Sequence, residues 1–346
     1  MPEDLLQRPQ TDPLAIYRYR DGLYAVDLIT AAIVHLDVVS WLAEHPSTLQ
    51  DLCRHFGLVE RPADVLVTLF AANGWIERRA DGACAVTPVA REYLTKASRW
   101  SLVPYYASLA DRPLVADFLS VLRTGRPAGW SSRPDGFDWH QAMADDAFAR
   151  EFTAAMDCRG RYLAQAVATA VPFGECRRLL DVGGGSGIYA CSMAAHHPHL
   201  SATVFDQAPV DQVAARLIAE RGASDRVAVH AGNFLEDDWP RGYDAHLFSN
   251  VLHDWDTPEV AALLARSFAA LEPGGLVVIH DAFINADKTG PLPVAEYSAI
   301  LMHSTQGKCY ATSEYETLLA AAGFVEPTFT ETAADRGVMV AKKPQR

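Results

Sequence analysis

Apolar residues recur at helical spacing through residues 13–45, as at Leu28, Ala32, Val39 and Leu42, and predict one or two buried helices. The run Ser47-Thr48-Leu49-Gln50-Asp51-Leu52 reads as a helix start, because a Ser or Thr side chain can accept from the orphan amides of a first turn. Gly57 closes that element, and a second helix is expected from Pro62 to Asn73 with Gly74 as its stop. Two short strand-like runs, 75–78 and 83–86, flank Asp81-Gly82, a hairpin dipeptide. Helix, helix and hairpin in this order predict a winged-helix unit. Residues 100–165 carry further helical patterns, broken by a loop of turn composition at 124–130 that is expected to cover a site.

The texture changes near Cys176. Short apolar runs at 178–182, 202–205, 227–230, 245–249 and 276–279 alternate with amphipathic stretches. Alternating strands and helices predict an α/β fold, a doubly wound, Rossmann-like parallel sheet with helices on both faces. Pro273-Gly274-Gly275 turns sharply into the fifth strand, and 326–332 with 337–342 predict a hairpin at the sheet edge. The expected organisation is a helical, winged-helix domain over 1–105, a helical linker and lid over 106–165, and a ligand-binding sheet domain over 166–346.

Charge narrows the partners. The chain of 346 residues has 30 Lys+Arg against 43 Asp+Glu, a formal net charge of −13. That balance argues against a nucleic-acid binder and against an anionic membrane surface, both of which need a basic face. The winged-helix segment could be the exception, but residues 48–100 hold seven Arg/Lys and six Asp/Glu, a net of +1, which is no footprint for a duplex. The six cysteines contain no Cys-x-x-Cys pair and read as reduced thiols. The N-terminus shows no basic region followed by an apolar stretch, and the apolar run 23–42 is interrupted by Asp27, His35 and Asp37. A soluble cytoplasmic protein is expected.

The strongest local signal is Leu179-Leu180-Asp181-Val182-Gly183-Gly184-Gly185-Ser186-Gly187, running from a strand into a helix. Glycine there lets the backbone turn tightly and approach a ligand. The spacing is Asp-x-Gly-x-Gly-x-Gly, whereas a nicotinamide or flavin fingerprint would place its third glycine where Ile188 stands. No Gly-Lys-Ser/Thr follows, which excludes a phosphate loop. Asp206 ends the second strand, where a carboxylate can take both ribose hydroxyls. Gly232-Asn233-Phe234 follows the third strand and suits an adenine edge and face. Ribose and adenine groups without phosphate groups describe S-adenosylmethionine. The cofactor set is therefore Asp181, Gly183, Gly185, Gly187, Asp206, Gly232, Asn233, Phe234 and, at the end of the fourth strand, Ser249.

With these residues the chain resembles the plant caffeate-type and bacterial antibiotic-pathway small-molecule O-methyltransferases. The resemblance covers nearly the whole chain and is anchored by the glycine loop, Asp206, Gly232-Asn233-Phe234, Val251-Leu252-His253-Asp254-Trp255 and Leu271-Glu272-Pro273-Gly274-Gly275. It implies a class I methyltransferase fold, a small-molecule acceptor, and a homodimer whose N-terminal region helps shape the partner's pocket. One departure is Asn233, where the family usually has Asp.

By the same resemblance His253 is the general base, able as a neutral imidazole to take a phenol's proton while the methyl moves. The family's first orienting Glu falls on Asp281, and the second falls near Cys309, which cannot orient an imidazole as a carboxylate does. His303 lies in the adjacent helical segment and joins His253 and Asp281 as a catalytic candidate, while strand alternation turns His280 to the face opposite Asp281. Met156 matches a methionine that packs on the acceptor, and Arg159 could hold a carboxylate bidentately. Two histidines and a carboxylate are also a first shell for one divalent metal, zinc or iron. The set His253, Asp281 and His303 therefore leaves a second expectation, metal-assisted C-methylation of a 2-oxo acid, which relatives of this family carry out. A third, from a different class, is a non-catalytic sensor that only binds the cofactor.

Overall fold

The computed structural model describes residues 4–128, 143 and 145–345. The chain forms two compact units: one comprises Met1–Ala15, Trp139–Phe283 and Thr312–Arg346, and the other Ile16–Asp138 and Ile284–Ala311. The boundaries are not the consecutive ones expected. The segment read as a lid is divided, since its earlier helices fall in one unit and the helix Asp146–Ala170 in the other. Of the expected covering loop, Gly129 and Trp130 lie outside the described residues.

The N-terminal elements are α1 (Leu14–Asp21), α2 (Ala25–Thr30) running into a π-helical turn (Ala31–His35), and α3 (Val38–Glu44). The one or two helices expected here are broken because Asp37 adopts a left-handed conformation, φ 57°, and restarts the chain as α3. Next come α4 (Leu49–Phe56) and α5 (Glu60–Ala72). Thr48 caps α4 as its sequence predicted, its hydroxyl accepting from the Asp51 N–H at 3.2 Å. β1 (Ile76–Arg78) and β2 (Cys84–Val86) pair antiparallel across the Asp81-Gly82 turn, with Ile76 opposite Val86. α6 (Pro88–Tyr93), α7 (Val103–Ala107) and α8 (Pro113–Thr124) follow.

The sheet unit opens with a long helix, α9 (Asp146–Ala170), whose first turn is capped by the Asp145 carboxylate accepting from the Phe148 N–H at 2.8 Å. Then strand and helix alternate: β3 (Arg178–Val182), α10 (Ile188–His196), β4 (Ser201–Asp206), α11 (Val210–Glu220), β5 (Val227–Ala231) and β6 (Ala245–Ser249). A 3-10 turn (Leu252–Asp254), α12 (Thr257–Ala270) and β7 (Leu276–Asp281) complete the parallel part. α13 (Leu292–Ser304) returns to the other unit, and α14 (Thr312–Ala322), β8 (Val325–Glu331) and β9 (Gly337–Lys342) close the chain.

The seven strands are ordered β5-β4-β3-β6-β7-β9-β8, with β3 to β7 parallel and the β8–β9 hairpin joined antiparallel to β7 at the edge. This is the doubly wound α/β sheet expected, and β3, β6 and β9 keep the predicted bounds. The order runs outward from β3 in both directions, so the crevice at the carboxyl ends of β3 and β6 is a topological switch point where α/β sheets bind ligands. The central strands are buried on both faces, with Leu179, Leu180, Val204, Leu247, Phe248 and Ile279 sealed from solvent. Among the described residues, no single helix is long and apolar enough to cross a membrane.

Candidate active site

Every cofactor candidate drawn from the glycine loop, Asp206 and Ser249 sits at the carboxyl end of a parallel strand or in the turn after it. The loop leaves β3 through Gly183, Gly185 and Gly187, all with positive φ. At Gly185, φ +55°, an added Cβ would meet nothing within 4 Å, so the backbone lines open space. Gly184 shows the opposite constraint, since a Cβ there would lie 2.7 Å from the Asp181 carboxyl carbon. Asp181 is fully buried beneath the loop and accepts from the Ala190 N–H of α10 at 3.2 Å. Burial pushes its pKa up to about 7. The structure thus places Asp181 under the loop as a support.

Asp206 lies beside the loop. One carboxylate oxygen accepts from the Gly185 N–H at 2.9 Å, and the other accepts from the Gln207 N–H at 2.8 Å. Each oxygen keeps a further lone pair, enough for two ribose hydroxyls. Burial raises the Asp206 pKa to about 6. Gly232 brings its backbone against the Phe205 ring, where a Cβ would be 2.8 Å from ring carbon Cε2. Asn233 is engaged locally, its side-chain oxygen accepting from the Leu235 N–H at 3.0 Å while its N–H donates to Asp237 at 2.7 Å. The Phe234 ring stands edge-on to Trp255 with centroids 6.2 Å apart, and a Cβ on Gly183 would touch it at 3.4 Å. Glycine cradle, acidic strand end and aromatic wall together fit an adenosyl group.

His253 is held in the 3-10 turn after β6, and its Nδ1 lies 2.5 Å from Oδ1 of Asp281 at the end of β7. Both are buried. Burial works against a charged ring, but the carboxylates of Asp281 and Asp254 outweigh it and raise the His253 pKa above the usual imidazole range. Asp254 Oδ1 is 3.7 Å from Nε2, and burial lifts the Asp254 pKa to about 6. Arg159, on α9, exerts its positive charge on His253, Asp254, His280 and Tyr189 alike, which places the guanidinium near these four groups. Met156 is half-buried one turn earlier on the same helix.

The opposite face of β7 carries a second cluster that sequence reasoning only touched. His280 Nδ1 and the Ser249 hydroxyl are 2.8 Å apart, and the Asn250 side-chain amide donates to Ser249 Oγ and to the Tyr189 hydroxyl, each at 3.2 Å. Burial holds His280 well below the ordinary imidazole range, so it is neutral. Tyr189 and Asn250 were missed. The one available signal was Asn250 itself, an Asn at a strand end, which proves left-handed with φ 54°.

His303 has partners of its own. It lies in the other unit, where Nε2 is 3.3 Å from Asp117 and Nδ1 is 3.3 Å from the Ser304 hydroxyl, with Tyr24 and Phe118 edge-on to the ring. Among the described residues, no three His, Cys, Asp or Glu side chains are grouped so as to hold a metal ion. The zinc or iron reading of His253, Asp281 and His303 is therefore not supported. Cys309 is buried in that same unit, its N–H donating to Ser298 at 3.0 Å.

Residues 120–325 match the family model for the O-methyltransferase domain. The chain is 32% identical over 311 residues to 3-hydroxy-5-methyl-1-naphthoate 3-O-methyltransferase of Streptomyces sahachiroi, covering 88% of this chain and 87% of the relative. It is 29% identical over 316 residues to the tetracenomycin polyketide synthesis 8-O-methyl transferase of Streptomyces glaucescens, covering 90% and 91%. A solved O-methyltransferase family 2 protein from Planctomyces limnophilus, in complex with apigenin, superposes with a TM-score of 0.88 at 33% identity over 99% of both chains. These matches make the protein an enzyme that uses S-adenosylmethionine, and the sensor reading falls away. The chain belongs to the S-adenosylmethionine-dependent O-methyltransferase family.

Proposed function

We propose that this protein methylates the oxygen of a phenol or enol in a small molecule of bacterial specialised metabolism, with His253 as general base. One observation carries the reading: the 2.5 Å contact between His253 Nδ1 and Asp281. With Nδ1–H donated to that carboxylate, the tautomer is set and the imidazole lone pair resides on Nε2. The nearby carboxylates stabilise the imidazolium that forms when the acceptor's proton arrives. S-adenosylmethionine supplies an activated methyl group. Gly183, Gly185 and Gly187 line its site, Asp206 receives the ribose hydroxyls, Phe234 faces the adenine, and Gly232, Asn233 and Ser249 complete the wall. Met156 packs on the acceptor, and Arg159 orients it or holds an acidic substituent.

The aromatic molecules named for the relatives support this class, since the hydroxynaphthoate that one methylates and the apigenin that another binds both carry phenolic oxygen. We place the enzyme in the cytoplasm, where its six free thiols would stay reduced. We also propose a homodimer formed through the N-terminal region, supported by Ile16, Tyr19, Trp100 and Tyr105, which are 74%, 86%, 54% and 78% exposed. Light scattering of the purified protein tests the dimer directly.

The test of function is turnover of a panel of hydroxynaphthoates and flavones, with the methylated atom located by NMR. O-methyl products, and their loss with His253→Ala, are expected. A methyl on carbon or nitrogen, or undiminished turnover by the variant, would overturn the reading.

A further inference from the structure

Helix α9 bears Met156 and Arg159 on the acceptor side, and between them it carries Asp157, whose side chain faces the cofactor loop. Asp157 and Arg221 are both buried, at 5% and 6% exposure. Arg221 follows the last residue of α11, and its guanidinium bridges two elements. One nitrogen donates to the backbone carbonyl of Ser186 at 3.2 Å, inside the glycine loop between Gly185 and Gly187. The other meets the Asp157 carboxylate in a very short ion pair. The second Asp157 oxygen lies 3.3 Å from Arg161 on the next turn of α9.

A second contact fastens the same helix to the same loop. At Gly160 an added Cβ would lie 2.4 Å from Ile188 Cγ2, and Ile188 is the first residue of α10, directly after the glycine loop. Backbone and side chain meet at a distance only glycine allows. Two independent contacts, one polar and one steric, therefore tie α9 to the turn that receives the cofactor. Polar bonds of a planar guanidinium fork are directional, so a shift of the Ser186 carbonyl must be followed by Asp157 or break a buried pair.

We propose that Asp157 and Arg221 are positioning residues that couple the glycine loop to α9, so that cofactor binding sets the placement of Met156 and Arg159 for the acceptor. The pair touches no reacting atom. It acts by making the loop and the acceptor helix one body, and by linkage the acceptor in turn tightens the cofactor. The proposal rests on the loop being the cofactor site and α9 the acceptor wall, as argued above. Its deciding measurement, ligand-dependent hydrogen exchange, involves neither the base nor the acceptor.

The experiment is hydrogen exchange of α9 amides over 153–161 in the full chain, with and without saturating S-adenosylhomocysteine, in the wild type, Arg221→Gln, Arg221→Lys and Asp157→Asn. Calorimetry sets the saturating concentration for each protein, and thermal melting establishes which variants fold. In the wild type, ligand should slow exchange of these amides by about tenfold or more. In Arg221→Gln and Asp157→Asn at saturation, the slowing should shrink to within about twofold, with partial recovery in Arg221→Lys. If Arg221→Gln does not fold, the comparison passes to the other two variants. On an acceptor that turns over, KM for the acceptor should rise more than kcat falls, and the acid limb of the pH profile should not move. A wild-type α9 that ignores the ligand, or folded variants that keep the full response, would overturn the coupling. Neither outcome bears on His253 as the base.

Discussion

The imidazole of His253 and the carboxylate of Asp281 meet at 2.5 Å although 28 residues separate them, because His253 lies in the turn after β6 and Asp281 ends β7, the parallel neighbour of β6. The same Asp281 oxygen also accepts from the Ala282 N–H at 2.8 Å. The carboxylate is thereby anchored to the backbone beside it. That relationship sets the first expectation.

Only neutral imidazole can take a proton, so activity should rise as pH climbs through the elevated His253 pKa and fall below it. Asp281→Asn removes one of the two carboxylates that raise that pKa. The acid limb should therefore move to lower pH while kcat drops at every pH. His253→Ala should reduce kcat by about 10²–10⁴-fold, the usual contribution of a positioned base. Rate profiles of both variants between mildly acidic and alkaline pH provide the check. An acid limb that stays in place in Asp281→Asn would refute the pairing as its cause.

The cofactor end should show its own pH dependence. As the proposed ribose partner, Asp206 would accept from both hydroxyls most strongly when ionised, and burial has raised its pKa to about 6. Affinity for S-adenosylhomocysteine should be full at neutral pH and weaken as pH falls through about 6. Asp206→Ala should lose about 1–3 kcal/mol of binding, the cost of unpaired buried donors, and with it the pH dependence. Gly185→Ala should weaken binding as well, because its Cβ would project into the open cradle from a left-handed backbone. Calorimetry at two pH values measures all three.

Turnover should be unchanged by chelator. His303 has Asp117 and Ser304 as partners, and no metal-holding group of three ligands occurs among the described residues. His303→Ala should therefore release no zinc or iron. Burial lowers the His303 pKa, opposed by Asp117, so the ring is neutral near pH 7. Its removal should cost about 1–3 kcal/mol of stability by leaving a polar neighbour unpaired and a gap between Tyr24 and Phe118. Elemental analysis of the purified protein, together with denaturant unfolding, decides the matter.

Much of this was readable from local pattern. β3, β6 and β9 follow from runs of apolar residues bounded by turns, and Asp206 from its place at a strand end. The glycine loop was legible because its spacing is a backbone requirement that no distant contact can alter. What escaped depends on residues far apart in the chain. Asp157 and Arg221 are 64 positions apart, and His280 and Ser249 are 31 apart. No periodicity links such pairs before the fold exists. His303 misled for the same reason, since its position in the chain suggested convergence with His253 while a carboxylate 186 residues upstream engages it. The divided N-terminal helices hinge on Asp37, where one left-handed residue overrides a helical hydrophobic period.

Asp64 supplies the last expectation, in acid stability. It is buried in α5 with Lys308 at 2.6 Å, Lys288 at 2.8 Å and Arg78 at 3.7 Å. Burial alone would raise its pKa, but the two lysines outweigh that and hold it at about 2 against an ordinary value of 3.8. A depressed carboxyl contributes stability that is complete above its unfolded pKa and is lost as pH falls through the folded value. Asp64 should therefore add about 2 kcal/mol at neutral pH, fading below pH 4. Asp64→Asn, which keeps the shape but removes the charge, should take away the carboxylate that both lysines contact and destabilise the protein by about 2 kcal/mol or more at pH 7. The difference between variant and wild type should then narrow as the pH approaches 2, because protonation makes the two side chains electrostatically alike. Denaturant unfolding across that range measures it, and a gap that stays constant with pH would assign the stabilisation to packing instead of charge.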